Sequence, residues 1–288
     1  MVTGRYGRCK VTAMTSFESA KAYQYALATG DKAAPRLALV QSVYGADAER
    51  ILATIGISQG DHVADFGCGT GATIPWFAKQ VGPTGEVLGL DASAAQLAMA
   101  KQNCIDAGLT NVRFIESDVY ATGLPRNTLD AVHCRLLLCH LQRPADAIKE
   151  MADVVRPGGV VVCFDLDLDG LFTMPQTDCY DQLRELYIER RQQDGLDKAL
   201  AAKLPSLMTA AGLAAPEMVL IHPVYLRGER KRLWEFTFAE SAERTLAKKL
   251  ISPSEFELLM EQVSAVARDD HVAVAQARMP VCWARKPN

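Results

Sequence analysis

No stretch of the 288 residues approaches the roughly 18 consecutive apolar residues that a membrane-spanning helix needs. Nor is there an excess of positive charge. Lys and Arg number 31 against 34 Asp and Glu, a net charge of −3, which argues against a basic face for nucleic acid or an anionic membrane. No Cys-x-x-C occurs: the eight cysteines stand singly at 9, 68, 104, 134, 139, 163, 179 and 282. Neither a zinc cluster, a redox pair nor an iron–sulfur site is indicated, and no metal is expected. Internal repeats and low-complexity segments are missing as well. The first twenty residues hold a few basic side chains with no apolar run behind them. No secretory signal is therefore expected, and the thiols are expected to be reduced, in the cytoplasm.

What is present is ordinary globular composition, 49% hydrophobic and 23% charged, enough to bury a proper core. Thr15 and Glu18 have capping-box spacing, which predicts a helix closed by Gly30, and a second helical pattern covers 34–56. Apolar runs at 62–67, 86–91, 112–117, 130–136 and 159–165 read as strands, with helical patterns at 72–81, 93–107 and 144–155 between them. Strand, helix, strand at this spacing predicts right-handed crossovers and a parallel sheet. Beyond 165 the rhythm changes. A loop and helical patterns fill 168–213, a strand is expected at 217–226, a helical region at 230–266, and one last strand in "HVAVAQARMPVCWARK" (271–286). The expected organisation is one folding unit, with an N-terminal helical arm or cap (1–57) and an α/β core (58–288). Cap inserts are expected near 168–200 and 228–268.

The chemistry starts in "VADFGCGTGATIPWFA" (63–78), where Gly67, Gly69 and Gly71 follow a carboxylate, Asp65. Glycines at the carboxyl end of a first strand let backbone approach a ligand. A dinucleotide turn would read G-x-G-x-x-G; here the spacing is G-x-G-x-G, with Ala72 in the last register. The companion acids discriminate better. Asp91 closes the second strand, where it can take ribose hydroxyls. Asp118 closes the third, where it can accept from an adenine amine while Val119 covers the ring, and Asp65 suits a cationic amino group. Three acids favour an adenosine carrying an ammonium and a sulfonium, and would repel a pyrophosphate.

With "HVADFGCGTG", "LGLDAS", "IESDVY", "LDAVHCRLLLCHL" and "VVRPGGVVVCFDLD", the sequence resembles the class I S-adenosylmethionine-dependent methyltransferases over about residues 60–167. It looks most like their ubiquinone/menaquinone-biosynthesis-type, small-molecule branch. The resemblance implies an α/β, Rossmann-like sheet of seven mostly parallel strands, the last antiparallel, plus a helical cap. It implies S-adenosyl-L-methionine as cofactor and S-adenosyl-L-homocysteine as product. Gly67, Gly69 and Gly71 would line the methionine part, Asp91 with Ala92 the ribose, and Asp118 with Val119 the adenine; Gln41 and Arg36 would close over the cofactor. The implied reaction is in-line displacement onto O, N or C of a small molecule; the size of the cap alone points to secondary metabolism, and a monomer or homodimer is expected.

On the acceptor side, "HCRLLLCHL" supplies His133, Arg135 and His140: the resemblance makes Arg135 a candidate to anchor a carboxylate, His140 is either a site residue or a histidine that fixes the loop, and His133 either a site residue or one buried and hydrogen-bonded within the sheet. "FDLDLDG" offers Asp165 as a base. Its alternation with Asp167 and Asp169 would point all three to one face, either as a site or as a hydrated rim. Cys134 reads as a small core residue, and no N-P-P-Y marks nucleobase amine methylation. "GERKRLWEFTF" (228–238) reads as a cap helix whose Trp234, Phe236 and Phe238, with Tyr23 and Tyr25, either wall an acceptor pocket or pack a core. Two rival functions stay open: an NAD(P)-dependent reductase and a non-catalytic, cofactor-binding regulatory protein.

Overall fold

A seven-stranded sheet in the order β3-β2-β1-β4-β5-β10-β7 carries the protein. The computed structural model describes residues 34–288. The helix expected up to Gly30, with Tyr23 and Tyr25, lies outside the described residues. The strands β1 (His62–Phe66), β2 (Glu86–Asp91), β3 (Val112–Glu116), β4 (Leu129–Arg135) and β5 (Val155–Phe164) pair in parallel. Near-continuous apolar runs produce the inner ones, whose residues are mostly buried because helices cover both faces, while the edge strand β3 is only partly buried. Between them lie α2 (Ile74–Val81), α3 (Ala94–Asp106) and α4 (Pro144–Val154). Ser93 starts α3 by accepting from the Gln96 amide, and prolines at the first turns start α2 and α4, where a missing N–H costs nothing. The closing strand β10 (Met279–Arg285) runs antiparallel between β5 and β7 (Glu217–Ile221), as expected.

The region after 165 departs from the expectation in three places. The strand expected over 217–226 breaks at His222-Pro223 into β7 and β8 (Val224–Tyr225). Proline cannot donate to a ladder, so the chain turns there into a second sheet. The run 271–286 likewise splits into β9 (Ala273–Ala275) and β10; at the break, the Gln276 amide donates to Pro223 O and Arg278 bridges Asp167. A short strand in the insert, β6 (Phe172–Met174), was not expected. It joins β9 and β8 in a three-stranded antiparallel sheet.

Helices α5 (Asp178–Gln193), α6 (Leu200–Ala210), α7 (Leu233–Glu240), α8 (Ala242–Ala247) and α9 (Pro253–Arg268) complete the fold; α9 opens with a full Ser252–Glu255 capping box. Trp234 and Phe238 of α7 are buried in a separate apolar cluster with α5 and α9, which is packing rather than surface. Among the described residues, no helix is long and apolar enough to cross a membrane.

Ahead of the sheet, α1 (Ala34–Ile55) buries Val40, Val43, Tyr44, Ala48, Leu52 and Ile55, a three-to-four spacing that faces the core. Its Tyr44 hydroxyl donates to the buried Ala277 carbonyl (2.9 Å), tying the helix to the β9–β10 break. Tyr44→Phe leaves that carbonyl without its partner, so unfolding in urea is expected to show a loss of about 1–3 kcal/mol.

Candidate functional site

A cavity of about 740 Å³ opens at the carboxyl ends of β1 to β4. This is where open α/β sheets bind ligands, beside the point at which strand order reverses. The glycine turn forms its floor. Gly67 adopts φ 67°, and a Cβ there would sit 2.8 Å from Leu137 Cδ1, so only glycine fits. Gly69 (φ 54°) lines the cavity, and its Cβ would meet no atom within 4 Å. Gly71 packs on Ala100 behind the wall and does not line the space.

Asp91 ends β2 beside this turn. Its carboxylate accepts from the Gly69 amide (2.9 Å) and the Ser93 amide (2.9 Å) and faces the cavity with Ala92. Burial raises its pKa, against the lowering effect of those amides, so the carboxylate still gains from further donors such as hydroxyls. Gln96, 7% exposed, lines the same wall with Oε1 unpartnered.

The loop after β3 brings Asp118 and Val119 to the cavity. Asp118 holds its own turn by accepting from the Tyr120 amide. Farther along, Glu150 of α4 fastens the loop: it accepts from Thr122 N (3.0 Å), Thr122 Oγ1 (2.6 Å) and Arg126 (2.6 Å).

The opposite wall comes from β4. His133 is 1% exposed, and its Nδ1 lies 2.7 Å from Asp65 Oδ1; a carboxylate only accepts, so Nδ1 carries the proton. His133 is ringed by Phe77 and Phe164 and does not line the cavity, whereas Asp65 does. Arg135 lines the cavity and donates to Gln41 Oε1 (2.8 Å); Gln41 itself stands behind it. Burial lowers the Arg135 pKa, partly offset by Asp65 and Glu49. Leu136, next in the chain, is a branched residue at φ 57°, a strained conformation on the cavity wall. His140 lines the cavity, and burial together with Arg191, Arg36 and Arg190 holds its pKa well below the usual value, so it stays uncharged at neutral pH.

Asp165, expected as a base, stands away from the cavity. It is fully buried and its oxygens accept from the Cys139 and Leu166 amides (both 2.8 Å), which makes it a brace for the wall. The expected alternation fails because β5 ends at Phe164: Asp167 pairs with Arg278 (2.7 Å) and Asp169 is exposed in a turn. Cys134 is a fully buried core thiol. Of the cap aromatics, Trp234 lines the cavity and Phe238 is in the core. Arg36 lines the cavity and binds Glu240 (2.8 Å).

Four contributors escaped the sequence: Tyr44 of α1, Tyr187 and Arg191 of α5, and Glu150. Arg190 and Arg191 stand in the last turn of α5, and both are buried. Arg191 donates to Cys139 O (2.5 Å), a partner 52 positions away in sequence.

The fold is a Rossmann-like α/β sheet with a crevice at the carboxyl ends of its strands, and its antiparallel strand is inserted next to β5. Residues 64–163 match the family model described as a methyltransferase domain. It is 31% identical over 141 residues to the demethylmenaquinone methyltransferase of Staphylococcus aureus, covering 49% of this chain and 55% of that one. The chain thus spans about half the length of this curated relative. A crystallised protein of Bacillus halodurans shares the fold at 19% identity and a TM-score of 0.58, over 84% of this chain and 100% of that one. So does the [4+2]-cyclase SpnF, at 20% identity and 0.52, over 89% and 94%.

Glu150 is tested by pH. Burial would raise its pKa, but Thr122 and Arg126 bring it below the ordinary glutamate value of 4.5. A carboxyl depressed in the fold stabilises above its unfolded pKa and stops doing so as pH falls through the folded one. The stability gap between wild type and Glu150→Gln should therefore be full at pH 7 and shrink below about pH 4.5. Equal gaps in urea titrations at pH 7 and pH 3 would count against the brace.

Proposed function

We propose that this chain transfers a methyl group from S-adenosylmethionine to O, N or C of a small molecule, in the cytoplasm. The observation that carries the reading is Asp91: a buried carboxylate, fixed by the glycine-turn amide, faces a cavity that also receives Asp65 and Asp118. Three acids around a glycine turn suit a cationic adenosyl compound and oppose a pyrophosphate, which weighs against a nicotinamide-dependent reductase. Fold alone does not decide the reaction, as a cyclase on the same fold shows. The seven described cysteines are all free thiols, which supports a reducing compartment.

The residues fit the cofactor. Gly67 and Gly69 would receive its methionine part, Asp65 its ammonium, Asp91 with Ala92 its ribose, and Asp118 with Val119 its adenine. Bound there, it supplies an electrophilic methyl on a sulfonium. The protein's own work is alignment and exclusion of water. His133 holds Asp65 at one oxygen, Gln41 holds Arg135, and Asp165 holds the Cys139 turn that precedes His140. Arg135 and uncharged His140 would then face the acceptor; because burial and the neighbouring arginines disfavour its protonated form, His140 serves there as a hydrogen-bond partner rather than as a strong base.

Calorimetric titration tests this directly. S-adenosylmethionine and S-adenosylhomocysteine are expected to bind at micromolar affinity, and NADH not at all. Asp91→Ala should weaken both adenosyl compounds by about 1.5–3 kcal/mol, the loss of hydrogen bonds to a charged group. Binding of NADH alone would overturn the reading, and unchanged affinity in the variant would remove Asp91 from the ribose.

A further inference from the structure

The cavity is divided by charge, and the division follows the sheet. Among the described residues, every carboxylate lining it, Asp65, Asp91, Glu116 and Asp118, comes from the ends of β1, β2 and β3. Among the same residues, every arginine lining it comes from the other side: Arg135 at the end of β4, Arg191 on α5, Arg36 on α1. In the order β3-β2-β1-β4-β5, the change of sign falls between β1 and β4.

The arginines are unevenly neutralised. Arg36 has Glu240. Arg135 and Arg191 instead rest on neutral oxygens, the Gln41 amide and the Cys139 carbonyl, and among the described residues neither has a carboxylate within 4.0 Å. Arg191 is 6% exposed and its Nε has no partner. Arg191 is buried and Arg135 half-buried; Asp165 acts on the first and Asp65 with Glu49 on the second only from beyond contact distance, so an anionic ligand in contact would stabilise both. His140 reports the same field from inside the cavity: beyond burial, the three influences that disfavour its charge are all arginines. Leu37, Leu166, Tyr187 and Trp234 add apolar surface to the lining of the same cavity.

We infer that the acceptor is an apolar or aromatic small molecule bearing an oxyanion, a carboxylate or a phosphate, seated between Arg135 and Arg191. The inference rests on the cofactor reading, which assigns the acidic half to the adenosyl compound. A cationic amine acceptor has no carboxylate to meet it on the arginine side. A planar anion can take two parallel N–H bonds from a guanidinium, which gives orientation as well as attraction.

The experiment uses the full chain saturated with S-adenosylhomocysteine, the saturation being verified by calorimetry. Intrinsic tryptophan fluorescence, to which Trp234 in the cavity wall contributes, then reports titration with three phenols of similar shape: 4-hydroxycinnamate, its amide, and tyramine. Phenyl phosphate is the fourth probe. The expected result is that 4-hydroxycinnamate or phenyl phosphate binds at least tenfold more tightly than the amide, with tyramine weakest; the better anion names the source. Arg135→Gln and Arg191→Gln should each erase most of that preference while S-adenosylhomocysteine affinity stays the same. If either variant fails to fold, the comparison of probes on wild type decides alone. Equal binding of acid, amide and amine, or binding of none in the loaded protein, overturns the inference. Failure of S-adenosylhomocysteine to bind in the first step overturns the cofactor reading instead.

Discussion

The hydrogen bond between Asp65 and His133 is the constraint on which the rest of the site depends. The two residues face each other in register on β1 and β4, the strands between which the sheet reverses its order. Both are almost wholly buried, 3% and 1% exposed, at 2.7 Å. A carboxylate this deep needs a donor, or its desolvation costs several kcal/mol. The imidazole supplies one donor, and Phe77 and Phe164 keep water from competing for it. One oxygen of Asp65 is thereby committed to the core while the residue still lines the cavity. Core and crevice meet in a single contact, and the crevice inherits the rigidity of the sheet.

A second set of braces works by the same logic, one step removed from the ligand space. Asp165 accepts from the Cys139 amide, and the Cys139 carbonyl accepts from Arg191. Glu150 holds Thr122 and so the loop that carries Asp118. Gln41 holds Arg135. In each case a polar group outside the cavity satisfies its own burial by fixing a group inside it, so no polar side chain in this layer is spent on folding alone.

The parallel half of the fold was legible because its strands are buried on both faces and so read as unbroken apolar runs, each followed by a helical period. The acids Asp91 and Asp118 were legible for a related reason: a charged residue at the carboxyl end of such a run has a predictable place. Past residue 165 both signals fail. Strands of two or three residues, such as Val224–Tyr225 and Phe172–Met174, are too short to show a period. The break at His222-Pro223 matters only because β9 stands ready to pair with Val224 and Tyr225 beyond it. Asp165 misled because alternation holds only while the strand continues, and β5 stops one residue earlier. Arg191 was invisible for a different reason. Its neighbours in sequence are polar, and its burial is set by Cys139 and Tyr187, contacts that only the assembled fold creates.

For the proposed methyl transfer, the division of charge also bears on which kind of acceptor atom fits. Burial first, and then Arg191, Arg36 and Arg190, hold the His140 pKa well below its usual value; the arginines' share of that effect acts with opposite consequences on acids and bases. An O–H or activated C–H between Arg135 and Arg191 is made more acidic, so its conjugate base, the nucleophile, forms more readily. An ammonium there is pushed toward its neutral form too, but it first has to enter a region lined by cations with no carboxylate to receive it. Attraction and activation therefore coincide for an anionic oxygen or carbon acceptor and oppose one another for an amine.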